Sequence, residues 1–124
     1  MDRTTTTPAV SLIDPTQQAL NSAIQGAAMR QQLLTANLAN VNTPGYQRQD
    51  VDFHAQLRDA MAAGETSATY APAVERGAQS ADGNGIDLER ESAELAKNAL
   101  DQQALVTVAR SRIDILTTAI GSGA

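Results

Sequence analysis

Few residues of this chain belong to the types that carry out chemistry. The 124-residue sequence holds one histidine, His54, and no cysteine. Neither a thiol nor a dense group of carboxylates accompanies His54 at the spacing of metal ligands. We interpret His54 as an incidental polar residue. The sequence predicts no enzyme: it shows no catalytic pair, no metal set and no cofactor-binding loop.

The segment from Asp82 to Asp87 superficially resembles a calcium-binding loop. Ile86 stands at its fifth position, and Ala93 stands at the twelfth, where a bidentate glutamate belongs. The segment therefore offers too few ligands for calcium. A glycine-rich turn that leads into a helix capped by Asp87 explains the same residues.

Composition excludes several other functions. The net charge is −5 and the nine Lys and Arg residues are scattered, so the chain lacks the basic patch of a nucleic-acid-binding protein. No apolar stretch suits a membrane span, and Met1–Pro8 lacks the features of a cleaved signal peptide. With 42% apolar residues, one Phe, two Tyr and no Trp, the chain has little bulk for a core. One domain of thin helical seams, stabilised by a partner, is the expectation.

The pattern of apolar residues predicts a first helix over about residues 16–41. Asp14 or Thr16 is the candidate N-cap beside Pro15, which suits a first turn. The helix is expected to end before a type II turn, because Pro44 and Gly45 fit the two central positions of that turn. Apolar residues recur at seven-residue spacing in two lines, interrupted by one glutamine: Ile13, Leu20, Ala27, Leu34, Val41, and Ile24, Gln31, Leu38.

A second, longer helix is predicted over about residues 86–120, ended by Gly121. It also has two heptad lines with one glutamine: Leu88, Leu95, Gln102, Ala109, Leu116, and Ser92, Ala99, Val106, Ile113, Ile120. On its exposed side, Arg90 with Glu94 and Arg110 with Asp114 have the four-residue spacing of ion pairs along a helix.

The predicted fold class is all-α. The two long helices are expected to pair within one subunit as an antiparallel coiled-coil hairpin, with Gln31 opposite Gln102 so that each amide satisfies the other. The predicted seam consists of Leu20, Ile24, Gln31, Leu34, Leu38, Leu95, Gln102, Val106, Ile113 and Leu116. An alternative is that each helix pairs chiefly with another subunit.

The connecting segments are predicted to carry less structure. Residues 52–63 fit a short helix with Asp52 as its cap, whereas residues 65–85 have no periodicity and are expected to be extended or disordered. The predicted organisation is a flexible extension over residues 1–15 and a single domain over residues 16–124, with a flexible central segment at residues 47–85.

The first helix is unusually poor in charge. Between Pro15 and Gln47 the only charged residue is Arg30, and positions outside the seam hold Gln, Asn, Ala, Ser and Thr. A helix that faces water permanently would carry more charge. Uncharged amides suit contact with neighbouring protein on several sides, because they avoid the desolvation cost of ions.

One motif is long enough to identify a family. The run from Ala36 to Tyr46, Ala-Asn-Leu-Ala-Asn-Val-Asn-Thr-Pro-Gly-Tyr, closely resembles the signature of flagellar rod and hook proteins. Together with Asp50–Phe53 and Asp82–Glu91, it resembles the proximal rod subunits of the FlgB type over roughly residues 16–120. The FlgC type ends with a helix containing Glu-Ala-Asn, which this chain lacks. Departures from the family pattern are the Thr-rich start and the polar Asp101–Gln103.

The resemblance implies a structural subunit that self-assembles with other rod proteins into the helical rod needed for motility. It implies export in an unfolded state without a cleaved signal peptide, and a place in the periplasmic basal body near the basal ring and export apparatus. The residues expected to drive assembly are Asn37, Asn40, Thr43, Pro44, Gly45 and Tyr46. The alternative is a soluble helical adaptor or export-chaperone-like protein that binds one partner helix.

Overall fold

The computed structural model describes residues 14–75 and 87–122 and is mainly helical. Its elements are α1 (Pro15–Ala39), β1 (Gln49–Asp50), α2 (Phe53–Ala62), β2 (Ala73–Val74) and α3 (Leu88–Ser122). The two strands pair antiparallel, with Gln49 opposite Val74. None of the helices in the described ranges is long and apolar enough to span a membrane.

Local signals set the helix boundaries close to the predicted ones. The Asp14 carboxylate accepts from the Gln17 N–H at 2.8 Å, with Pro15 in the first turn. Asp52 caps α2 through the Ala55 N–H, and Asp87 accepts from the N–H groups at the start of α3. Gly121 does not end α3, because the helix continues to Ser122.

The core lies where α2 crosses α1. Ala23, Ala27, Phe53 and Leu57 are buried together, and Tyr70 and Leu105 pack against them. Gly26 makes this approach possible, since a Cβ built there would lie 2.5 Å from Phe53 Cβ. The lack of large residues in α1 at this point is therefore a packing requirement.

The partners of α1 along α3 run in reverse order. At the start of α1, the Asp14 carboxylate accepts from Arg112 and the Gln17 side chain donates to the Ala109 carbonyl. Further along α1, Asn98 donates to the Ala27 carbonyl and to the Gln31 side chain. Near the end of α1, Asn37 donates to the Glu91 carboxylate. Asn98, and not Gln102, therefore faces Gln31. The predicted register is wrong by at least the one helical turn that separates these two residues.

One predicted heptad line of α3 is also wrong. Glu91, Asn98 and Ala109 are buried, with Leu105 and Arg112 partly buried, whereas Ser92, Ala99 and Ile113 are exposed. The heptad line that faces α1 includes Glu91, Asn98, Leu105 and Arg112. Each of these residues comes one position before a residue of the predicted line that begins at Ser92. Polar side chains occupy most of its positions, which is why an apolar pattern did not reveal it.

Several predictions concern motion or residues beyond the described ranges. The predicted extension over residues 1–15 falls outside them except for Asp14 and Pro15, and the calcium-like segment falls outside them up to Ile86. Flexibility of the central segment stays a prediction. Its described part, residues 47–75, contains α2 and both strands, and Tyr70 there donates to the Ser22 carbonyl at 2.7 Å.

Candidate assembly site

The signature motif folds into the end of α1 and the turn that follows it. Asn40 caps the helix and its side chain donates to the Ala36 carbonyl at 2.8 Å. Thr43 Oγ1 donates to Asn40 Oδ1 at 3.0 Å, and the Tyr46 N–H donates to the Thr43 carbonyl at 3.2 Å. Gly45 has a φ of 77°, as the third residue of a type II turn requires. The predicted turn is therefore confirmed.

Asn37 holds the chain that returns from this turn. Its amide nitrogen donates to the Gln49 carbonyl at 2.8 Å, and its amide oxygen accepts from the Gln49 N–H at 3.1 Å. The same nitrogen also donates to Glu91 at 3.2 Å. Because Asn37 is completely buried, these bonds are made away from water and join α1, β1 and the start of α3.

A buried ion pair lies beside this amide. Arg48 is 2% exposed and Glu91 is 0% exposed, and the Arg48 guanidinium donates to the Glu91 carboxylate. Arg48 also reaches Glu75 at 3.0 Å and Asp50 at 3.3 Å. A buried pair of this kind needs further hydrogen bonds to offset desolvation, and Asn37 supplies one to Glu91.

Arg30 extends the arrangement along α1. Its guanidinium binds both oxygens of Asp50, at 2.9 and 3.2 Å, and also binds Glu94. The only charged residue of α1 is thus turned towards β1 and α3. We call Arg30, Arg48, Asp50, Glu75, Glu91 and Glu94 the charge cluster.

The charge cluster changes how its groups titrate. Burial alone would raise the pKa of Asp50, but hydrogen bonds from Arg30 and the Val51 N–H, with the charges of Arg30 and Arg48, lower this pKa below its usual value. The hydrogen bond to Asp50 raises the pKa of Arg30. Both groups are charged at neutral pH, as the observed ion pair requires.

The structure divides the predicted assembly residues into two groups. Thr43, Pro44 and Gly45 are exposed and Tyr46 is partly exposed, so they form a tip that a neighbour can reach. Asn37 is buried and Asn40 is partly buried, and both make bonds within the chain. The tip and its anchor are therefore adjacent in sequence and different in role.

The predicted seam residues do not all share one environment. Leu34 is completely buried and Ile113 is 36% exposed. The others are partly buried: Leu20, Ile24, Gln31, Leu38, Leu95, Gln102, Val106 and Leu116. Of the two glutamines, Gln31 is the one bonded to Asn98.

His54 has a partner that the sequence did not reveal. Its Nε2 lies 2.8 Å from Asp101 Oδ2, which links α2 to α3 on the surface. The two residues line an open cleft of about 470 Å³, together with Lys97, Asp52 and parts of the charge cluster. In the described part of the chain, no group of three His, Asp or Glu residues is arranged to hold a metal ion.

Sequence reasoning missed the charge cluster and gave one of its members the wrong partner. Glu94 was expected to pair with Arg90 along α3. The structure pairs Glu94 with Arg30, and Arg90 with Glu75 at 2.7 Å. The available signal was the lone charge of α1, because a single arginine among neutral residues requires a distant carboxylate wherever it is partly buried.

Comparisons with known proteins agree with the motif. Residues 17–47 match the family model described as flagella basal body rod protein. The chain is 33% identical to the flagellar basal body rod protein FlgB of Salmonella typhimurium over 86% of this chain and 91% of that one. It is 32% identical to FlgB of Escherichia coli over the same shares. For FlgB of Bacillus subtilis the identity is 30%, over 92% of this chain and 99% of that one.

These matches extend well beyond the signature motif. A match over 86% of the chain must include its middle and most of each long helix, so the tip, its buried anchor and the charge cluster lie within it. The chain belongs to the FlgB family of flagellar basal body rod proteins, whose members are structural subunits and not enzymes.

Proposed function

We propose that this rod subunit occupies the proximal, periplasmic part of the rod and uses the exposed tip at Thr43–Tyr46 to contact its neighbours there. Those neighbours are other rod proteins, the basal ring and the export apparatus. In this proposal the chain leaves the cytoplasm unfolded, through the flagellar export apparatus, without a cleaved signal peptide. Family membership supports the place in the basal body, and the geometry of the tip supports the mode of contact.

One observation carries the role of the tip. The family signature forms a hydrogen-bonded turn whose outer residues Thr43, Pro44 and Gly45 are exposed, while Asn37 anchors its base from inside. An exposed turn with a fixed backbone loses little conformational entropy when it is bound. Tyr46 adds a large amphipathic side chain beside the turn. This arrangement suits protein–protein contact.

We further propose that α1 and α3 form an antiparallel coiled-coil hairpin within one subunit. The reversed order of their hydrogen-bond partners supports this topology, from Asp14 with Arg112 to Asn37 with Glu91. Such a hairpin keeps the tip at one end and gives the subunit two long outer faces. Open contacts between such faces generate a filament instead of a closed ring.

The tip can be tested with two matched glycine variants. Gly45 and Gly64 both have a positive φ, 77° and 88°, and at both positions a Cβ would meet nothing within 4 Å. Gly45→Val and Gly64→Val therefore impose similar backbone strain, on the order of 1–3 kcal/mol. We expect only Gly45→Val to abolish swimming and the recovery of the subunit in isolated basal bodies. Helix content measured by circular dichroism should be similar for both.

The glycine experiment has a clear opposite outcome. If Gly45→Val cells swim and assemble rods as well as Gly64→Val cells, the tip is not an assembly element. The alternative function, a soluble adaptor or export-chaperone-like protein, is not favoured by the family relationship.

A further inference from the structure

Both long helices carry an uncharged stripe of mainly exposed residues. On α1 we call Asn21, Gln25, Ala28, Gln32, Thr35 and Ala39 the α1 outer stripe. All are exposed except the partly buried Ala28. On α3 we call Leu100, Ala104, Val108, Ser111, Ile115 and Thr118 the α3 outer stripe. All six are exposed, Leu100 and Ile115 each by 67%.

The spacing of both stripes is that of a coiled-coil seam. The α1 outer stripe advances by alternating steps of four and three residues, and so does the α3 outer stripe from Ala104 onward. Each stripe extends over about 27 Å at the usual helical rise. Surface positions of a helix that faces only water rarely keep this period without an ionisable residue.

The chemistry of the two stripes is complementary. The α3 outer stripe offers apolar side chains at Leu100, Val108 and Ile115, separated by small residues that allow a helix to approach closely. It also has hydroxyl groups at Ser111 and Thr118. The α1 outer stripe offers amides whose aliphatic stems can cover apolar surface while their polar ends bond hydroxyl groups. Neither stripe brings a charge that would have to be desolvated.

We propose that the α3 outer stripe of one copy of this chain packs on the α1 outer stripe of a second copy. The inference rests on the proposed function, because a rod subunit needs contacts that repeat. Pairing of two α3 outer stripes would bury more apolar surface, but it would close a symmetric dimer and stop growth. Pairing of an α3 outer stripe with an α1 outer stripe leaves one unpaired stripe at each side of the complex, so further copies can add to it.

Single-cysteine variants test this pairing, since the native chain has no cysteine. Two tagged variants are expressed together in cells that lack the native chain. One is Val108→Cys, and the other is either Gln25→Cys or Gln32→Cys. The two α1 positions lie one heptad apart, so that together they test two registers of the helix contact. Basal bodies are isolated, oxidised and analysed for disulfide-linked dimers. We expect a mixed dimer carrying both tags in at least one combination. The matched control pairs Gln103→Cys with the same α1 variants and should give no mixed dimer. Gln103 is exposed but lies outside the α3 outer stripe, so its cysteine should be out of disulfide range of the second copy.

Other outcomes overturn the inference. Dimers that form only between copies of Val108→Cys would show a symmetric contact, and the absence of mixed dimers in both combinations would show that the stripes do not meet. A second variant, Ala104→Glu, should reduce recovery of the chain in basal bodies, whereas Gln103→Glu should not. Swimming of cells with each single-cysteine variant measures the proposed function separately, so normal swimming without mixed dimers rejects the pairing alone.

Discussion

The two ends of the α1–α3 contact are held by different kinds of interaction. Next to the assembly motif, Asn37, Arg48 and Glu91 form a fully buried polar arrangement. At the other end, Asp14 and Arg112 form a partly exposed ion pair, with both bonds at 3.1 Å, and the buried polar group beside it is the uncharged amide of Gln17, which donates to the Ala109 carbonyl. The buried ion pair therefore lies at the end of the contact that carries the tip proposed to meet neighbours, and the partly exposed ion pair lies at the far end.

The largest expected effect tests the buried end. Glu91→Gln keeps the shape of the side chain but leaves Arg48 as a buried cation without its main partner. Breaking a buried ion pair costs up to about 3–5 kcal/mol of unfolding free energy, and the carboxylates of Glu75 and Asp50, which still face Arg48, reduce that loss. The measurement is urea denaturation followed by circular dichroism. Glu89→Gln, an exposed change in the same turn, is the control, and a similar small loss in both variants would contradict the assigned role.

The next largest expected effect is on the pH dependence of stability, and it also comes from the buried end. In the folded chain the pKa of Asp50 is lowered, so its stabilising contribution is fully present above the usual aspartate value of about 3.9 and is lost as pH falls through the lowered pKa. We therefore expect Asp50→Asn to be less stable than the parent at neutral pH. The difference should narrow in acid. Denaturant midpoints of the parent and of Asp50→Asn, measured across a pH series, check this. A difference in midpoint that stays constant with pH would exclude Asp50 as the source of the pH dependence.

The smallest effect concerns the exposed end. Asp14→Asn keeps a good helix cap but removes the charge that faces Arg112. The loss of stability should be smaller than for Glu91→Gln, and it should disappear near 1 M salt, where the screening length is about 3 Å. Thermal unfolding at low and high salt measures it. A loss that salt does not change would mean that the two ends are held alike.

Sequence reasoning succeeded where the determining interactions are local. The caps at Asp14, Asp52 and Asp87 and the turn at Gly45 depend on residues a few positions away, and the structure has all of them. The helical fold class followed from periodicity, which is also a local property.

The charge cluster could not be predicted in the same way. Arg48 and Glu91 are 43 positions apart, and Arg30 and Glu94 are 64 apart. Charged residues are usually exposed, so nothing in their own neighbourhoods marked them as buried. The register failed for a related reason. It was based on matching one glutamine with another, although Asn98 was the amide that faced Gln31.

The inward-turned Arg30 also affects how fast subunits meet. Because its charge is paired with Asp50 and Glu94, α1 has no unpaired charged side chain of its own that could attract or orient an incoming subunit. The net charge of −5 makes two free copies repel each other at long range. Association should therefore proceed at the unsteered rate of about 10⁵–10⁶ M⁻¹s⁻¹ or below, and added salt should accelerate it. Growth of such an assembly would depend on a high local supply of subunits.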